Sequence, residues 1–206
     1  MAGSNGTPIT SGQIQELREA TGAGIMDCKK ALEQAHGDMQ KAKVWLRDRG
    51  VTIAAAKGGR MAKEGLIGSY IHAGGRLGVL VELNSETDFV ARTDDFQILL
   101  KELCMQVAAA APRWVSREMV PPEILDEKRQ EFEKEALKEK KPAPVAAKIA
   151  EGKLDKYLAE TCLLEQVYVR EPSGKVKVKD LVTQAVGKMG ENVVVRRFVR
   201  FQVGGE

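Results

Sequence analysis

Arg76-Leu77-Gly78-Val79-Leu80-Val81-Glu82-Leu83 runs without a break into Asn84-Ser85-Glu86-Thr87-Asp88-Phe89-Val90-Ala91-Arg92, and Thr93-Asp94-Asp95 follows. The first eight residues alternate and are rich in Val and Leu, which predicts a strand. Beyond Thr93, the residues Phe96, Leu99, Leu100, Leu103 and Val107 recur at i, i+3, i+4, i+7 and i+11. That spacing predicts a helix, capped by Thr93 and closed by Pro112, that lays one apolar face on the sheet. A helix covering a strand in this way points to an α+β body. The nine residues between the two elements are polar, acidic and turn-forming, apart from Phe89 with Val90 beside it. Phe89 has two readings. It tucks under the strand-to-helix turn, or it is a rigid aromatic anchor, flanked by carboxylates, made to enter a pocket on another protein.

Outward from this stretch, Leu66, Ile67, Tyr70 and Ile71 predict a partner strand, joined to residues 78–83 across Ala73-Gly74-Gly75-Arg76 as a hairpin. Residues 10–50 read as three short helices. Thr10 and Gln13 have capping-box spacing for the first, with Ile14 and Leu17 inward. Thr21-Gly22-Ala23-Gly24 breaks it; Ile25, Cys28, Ala31, Leu32 and Ala35 mark the second. Asp38 caps the third, which carries Ala42, Trp45 and Leu46 and is expected to end at Gly50. A bundle this small is rarely catalytic and usually binds something. Residues 51–63, rich in Ala, Lys and Gly, read as a linker with room for a helical start, and residues 1–9 as a disordered tail.

The core domain is expected over residues 64–206. Within it, residues 123–141 are dense in both charges, with Glu131/Lys134 and Glu135/Lys138 at i, i+3, and predict an exposed helix standing off the body. After Pro142-Ala143-Pro144 come short helices, then a brief strand at residues 166–170. Val178, Leu181, Val182, Ala185 and Val186 define a further amphipathic helix. Residues 192–203 predict a long strand with Val193, Val195, Val199, Phe201 and Val203 on one face and Val194, Arg196, Phe198 and Arg200 on the other.

Composition narrows the function. Lys+Arg 32 against Asp+Glu 29 leaves a net charge of +3, a mixed-sign surface and not a nucleic-acid clamp. No apolar run approaches the ~18–20 residues of a membrane span, and the first residues lack the features of a signal peptide or presequence. Cys28, Cys104 and Cys162 are far apart, among apolar neighbours, with His36 and His72 the only histidines. That pattern suits reduced core thiols in the cytoplasm and no zinc site. Gly22-Ala23-Gly24 lies between helices and lacks the third glycine of a dinucleotide fingerprint. Glu86, Asp88, Asp94 and Asp95 match no calcium loop, and Asp94 and Asp95 suit the first turn of a helix. No catalytic residue, metal or cofactor is expected. Arg196, Arg197 and Arg200 with Phe198 and Phe201 offer an alternative, an RNA- or ribosome-associated strand. The two phenylalanines fall on opposite faces of such a strand, which denies them one stacking platform.

Four segments in order carry a resemblance: Leu17-Arg18-Glu19-Ala20-Thr21-Gly22-Ala23-Gly24-Ile25-Met26-Asp27-Cys28-Lys29-Lys30-Ala31-Leu32, Thr87-Asp88-Phe89-Val90-Ala91-Arg92, Lys148-Ile149-Ala150-Glu151-Gly152-Lys153-Leu154 and Phe201-Gln202-Val203-Gly204. They resemble the elongation factor Ts family, exchange factors for the translational GTPase elongation factor Tu. The resemblance implies that the three-helix module is ubiquitin-associated-like and docks on the GTPase domain of Tu through Arg18, Ile25 and Met26. It implies that Thr87, Asp88, Phe89 and Val90 displace magnesium, Asp88 disturbing the network around the ion and Phe89 wedging between helices. The chain resembles the short form of the family, which implies a homodimer or a two-plus-two assembly with Tu; from the charge balance and the lack of a long apolar run, no direct nucleic-acid or membrane binding is expected.

Overall fold

A computed structural model describes residues 9–205. The expected tail, residues 1–9, therefore lies outside the described residues except for Ile9. That residue packs against the core of the N-terminal helices together with Ile14; the two occupy the N′ and N4 positions of a hydrophobic staple.

Helix α1 (Ser11–Thr21) starts on the predicted capping box: the Gln13 amide donates to Thr10 Oγ1 at 3.2 Å and the Thr10 amide to Gln13 Oε1 at 3.0 Å. Gly22, in the left-handed region at φ 66°, ends it. Helix α2 (Ile25–Gln34) buries Cys28, Ala31 and Leu32. Helix α3 (Met39–Lys57) is capped by Asp38, whose carboxylate accepts from the Gln40 and Lys41 amides. These three helices share one small apolar core around Leu17, Leu32 and Ala42.

Gly50 does not stop α3, contrary to the sequence expectation. The helix continues to Lys57, so much of the expected linker is helical. The glycine serves a crossing instead. A Cβ on Gly187 of helix α8 (Val178–Met189) would fall 2.7 Å from the Gly50 Cα, so the two backbones meet where neither carries a side chain.

Strands β1 (Glu64–Ile71), β2 (Leu77–Ser85) and β3 (Val193–Gln202) form an antiparallel sheet in the order β1-β2-β3. Helix α5 (Asp94–Ala110) covers its inner face with Phe96, Leu99, Leu100, Leu103 and Val107, all buried as the spacing predicts. The contact is close: a Cβ on Gly68 of β1 would come within 2.5 Å of Leu100 Cγ.

The alternation expected for β3 breaks in the middle. Glu82 pairs with Arg197 but Leu83 pairs with Val195, leaving Arg196 as the extra residue of a β-bulge. A one-residue insertion reverses the facing of everything beyond it. Val193 and Val195 are buried and Phe198 packs inward, whereas Val199, Phe201 and Val203 are exposed.

Helices α6 (Pro122–Lys138) and α7 (Ala143–Thr161) form a hairpin with its own core of Val120, Leu154, Leu158 and Cys162, against which Phe132 and Tyr157 pack. The charged helix thus leans on a partner instead of standing free, and α7 is one long helix where short ones were expected. Its charges pair across the hairpin, Arg129 Nε with Glu151 at 2.7 Å and Lys153 Nζ with Glu135 at 2.7 Å. Residues 166–170 form no strand. One isolated bridge, Val167 to Lys177, and the buried Gln106 amide, which donates to Gln166 Oε1 and the Val167 carbonyl, hold this segment down.

Cys28, Cys104 and Cys162 are free and buried, and burial pushes the Cys104 thiol up to about 11. Among the described residues no helix is long and apolar enough to cross a membrane.

Candidate partner-binding site

The β2–α5 connection contains one more helical turn, α4 (Asp88–Ala91), and its N-cap is Thr87. Ala91 is buried and Val90 packs against the main core, so the rear of the turn is fastened to the body. Phe89 is the opposite case: 78% of its surface is exposed, more than for any other large apolar side chain among the described residues. The tucked reading of Phe89 therefore does not hold. This leaves a large aromatic ring in water on a backbone that is itself anchored.

Asp88 lies one residue before it, half-exposed, with its carboxylate accepting from Arg92 Nη2 at 2.7 Å. Thr87 is tied from outside the turn. Its amide donates to Glu191 Oε2 at 3.0 Å and its hydroxyl to Glu191 Oε1 at 2.8 Å. Next to it, Glu86 accepts from the Asn192 amide at 2.7 Å and from Arg60 Nη1 at 3.4 Å. The Asn192 amide and the Arg60 guanidinium hold the Glu86 carboxyl below its ordinary value of 4.5, against the opposing effect of burial. The side-chain amide of Asn192 closes the cluster by donating to the Arg60 carbonyl at 2.7 Å.

Arg18, Ile25 and Met26 come together on the N-terminal module. Ile25 and Met26 open α2 and are 55% and 63% exposed, because the buried face of that helix is already filled by Cys28, Ala31 and Leu32. With Arg18 they line a shallow cleft that continues to Asp95 and Lys188. Lys188 Nζ donates to Asp95 Oδ1 at 2.6 Å, linking the end of α8 to the first turn of α5. Thr87, Asp88, Phe89 and Val90 do not line this cleft. They precede Thr93, the α5 cap, in the chain, whereas Asp95 of the cleft follows it.

Glu191, Asn192 and Arg60 escaped sequence reasoning. Gly190-Glu191-Asn192 is legible as the break between a helix and a strand, but nothing local says that it reaches residues 86 and 87. The basic residues of β3 are already engaged in part: Arg197 Nε donates to Glu82 at 2.6 Å and Arg200 Nε to the Ala108 carbonyl at 3.3 Å. Phe198 faces inward and Phe201 outward, so the strand offers no common stacking platform. Among the described residues no group of three or more His, Cys, Asp or Glu side chains is placed to hold a metal ion.

Comparison with known sequences places the chain among the translation elongation factors. A family model described as "Elongation factor TS" matches residues 48–204. Similar proteins include elongation factor Ts of Thermoanaerobacter sp. (strain X514), 54% identical over 95% of each chain. The elongation factors Ts of Carboxydothermus hydrogenoformans and Heliobacterium modesticaldum are 53% and 52% identical, over 95% of this chain and 89% and 90% of theirs. The chain belongs to the elongation factor Ts family.

Proposed function

We propose that this chain is the guanine-nucleotide exchange factor for elongation factor Tu, acting in the cytoplasm on the Tu·GDP complex. The N-terminal module, residues 10–50, is ubiquitin-associated-like and docks on the GTPase domain through Arg18, Ile25 and Met26. Thr87, Asp88, Phe89 and Val90 then act beside the magnesium and phosphate site. Asp88 brings a negative charge to the network holding the ion, Phe89 wedges between helices, and the phosphate loop loses its grip on GDP so that GTP can bind. One observation carries this reading: the 78% exposure of Phe89 on a turn secured from both sides. A ring held ready in this way loses little further freedom on docking, so more of its burial energy reaches the complex.

The chemistry asked of the factor is binding, not bond-making, and it carries a thermodynamic condition. A factor that weakens GDP must itself bind nucleotide-free Tu more tightly than Tu·GDP by the same ratio, since coupling between two ligands is reciprocal. The outer face of the sheet, with Ile67, Ile71, Leu80, Val199 and Phe201 exposed, supports pairing with a second copy as a homodimer, two chains serving two molecules of Tu.

The test is stopped-flow release of a fluorescent GDP from Tu with and without the protein. Acceleration that saturates with factor concentration is expected. An unchanged release rate at saturating concentration would rule the reading out, and RNA binding with a steep salt dependence would put the strand-centred alternative in its place.

A further inference from the structure

We propose that Glu191 is a positioning residue for nucleotide exchange: it fixes Thr87 and so aims Asp88 and Phe89 before the partner arrives. The inference rests on the exchange-factor reading above and adds a residue outside the turn to it.

Phe89 is almost unpacked, so its own contacts do not set its direction. That is decided by the backbone at its N-terminal side, where Thr87 holds the extended conformation of an N-cap, φ −128° and ψ 156°. Close by in sequence, the Thr87 hydroxyl accepts from the Val90 amide at a long 3.5 Å and the Thr87 carbonyl accepts from the buried Ser85 hydroxyl at 2.8 Å, which leaves the Thr87 amide and the donor side of its hydroxyl to be held from elsewhere. Glu191 takes both. Its two carboxylate oxygens take the Thr87 amide and hydroxyl at 3.0 and 2.8 Å, a two-point grip that fixes both the peptide plane and the side-chain rotamer. The grip is returned, because Glu86 takes the Asn192 amide at 2.7 Å. Each segment thus presents a carboxylate to the other's backbone, and the clasp joins the end of β2 to the start of β3 across more than a hundred residues of chain. Both segments are continuous with paired strands of the central sheet, so the turn is aimed from the sheet.

The carboxylate is an acceptor for two donors at once. A glutamine there accepts at only one oxygen, and an alanine at none. The expected order of exchange activity is therefore wild type, then Glu191→Gln, then Glu191→Ala.

The experiment measures fluorescent-GDP release from Tu at one subsaturating factor concentration for wild type, these two variants, Phe89→Ala and the double variant Glu191→Ala/Phe89→Ala. Amide hydrogen exchange at Thr87 is followed in the free factor. Loss of hydrogen bonds to a charged acceptor is expected to slow release about tenfold in Glu191→Ala, with Glu191→Gln between it and wild type. Protection of the Thr87 amide falls in the same order. In the Phe89→Ala background the Glu191→Ala change should cost less than about twofold, since the ring it aims is gone. Three results overturn the proposal: Glu191→Ala releasing GDP like wild type, an undiminished penalty in the Phe89→Ala background, or an unprotected Thr87 amide in the wild-type chain. If wild type itself fails to accelerate release, the exchange-factor reading falls and takes this role with it, a result distinct from the other three.

Discussion

At the scale of single residues, the proposed function gives Phe89 and Met26 different shares in binding. A substitution is costly to folding when it leaves a cavity or an unpaired polar group, and truncating an exposed ring does neither. Phe89→Ala is therefore expected to leave the melting temperature nearly unchanged while removing ~2 kcal/mol or more of affinity for nucleotide-free Tu, the range of an aromatic anchor. Titration calorimetry and the release assay read both. A variant that unfolds early would return Phe89 to the core. Met26→Ala, at the mouth of the cleft beside Arg18, should weaken docking with a smaller effect on the release step once the complex has formed. The two roles would merge if both variants lowered affinity and saturated release rate in the same proportion. The exposure of Phe89 has a basis in the sequence. The polar run from Asn84 to Arg92 holds one large aromatic, and Phe96 and its neighbours already supply the apolar face that α5 needs, so Phe89 is surplus to the core. The means of holding it was not legible, because the contacts made by Glu191 depend on the closed sheet and leave no trace in local spacing.

At the scale of elements, glycines and carboxylates acquire meaning only from what crosses them. Gly50 resembles a helix terminator in the sequence, yet α3 passes through it to lie against Gly187 of α8. Gly187→Ala would bring a Cβ to 2.7 Å from the Gly50 Cα, backbone that cannot swing aside. Overpacking of this kind is expected to cost ~1–3 kcal/mol and lower the melting temperature. Gly152, within α7 and open on all sides, is the control: Gly152→Ala should stabilise by ~0.4–1 kcal/mol through helix propensity and the unfolded chain. Equal effects of the two changes would dismiss the crossing as the cause. The phase error in β3 has the same origin, since the bulge at Arg196 is set by pairing with β2 and not by its own residues. Acid sensitivity also belongs to this scale. With its folded pKa lowered by the Asn192 amide and by Arg60, Glu86 stabilises the clasp fully above its ordinary value of 4.5, and that contribution disappears as pH falls through the lower folded value. Glu86→Gln should thus melt below wild type at neutral pH, the two curves converging as the pH falls below 4.5 and through the lowered folded value. A gap that persists unchanged into acid would show that the charge of Glu86 contributes nothing.

The whole molecule leaves one large surface without a use of its own. α5 and α8 cover the inner face of the sheet, but Ile67 and Ile71 of β1, Leu80 of β2, and Val199 and Phe201 of β3 all point outward, and Ile67, Ile71 and Phe201 are each about two-thirds exposed. The strand register groups them: Ile71, Gly78 and Phe201 form one row across the sheet, and Ser69, Leu80 and Val199 the next. Three strands of some nine residues, at ~4.8 Å between strands and ~3.3 Å per residue, make a face on the order of 400 Å² in projection. The apolar side chains occupy part of that face, between Glu82 and Arg197 and the Ser69 position, and a grouped apolar area on a protein surface is often functional. The bulge at Arg196 created it, by turning Val199 and Phe201 away from the core. A twofold axis through the face would stack two such sheets, each burying the other's outward rows. Glu82 and Arg197 form an ion pair within the same face at 2.6 Å, and in such a stack a polar pair among apolar neighbours would fix the register of one sheet on the other. Sedimentation equilibrium is therefore expected to find a dimer at micromolar concentration. Phe201→Asp, placing a charge in the outermost row, should yield a monomer whose circular dichroism and melting curve match those of diluted wild type. Glu82→Arg, which sets like charge against Arg197, should weaken the dimer without abolishing it. A wild-type monomer at about 50 μM, weaker than any association that would matter at that concentration, would leave the outer face without a second copy, and the two-plus-two assembly with Tu would have to be given up.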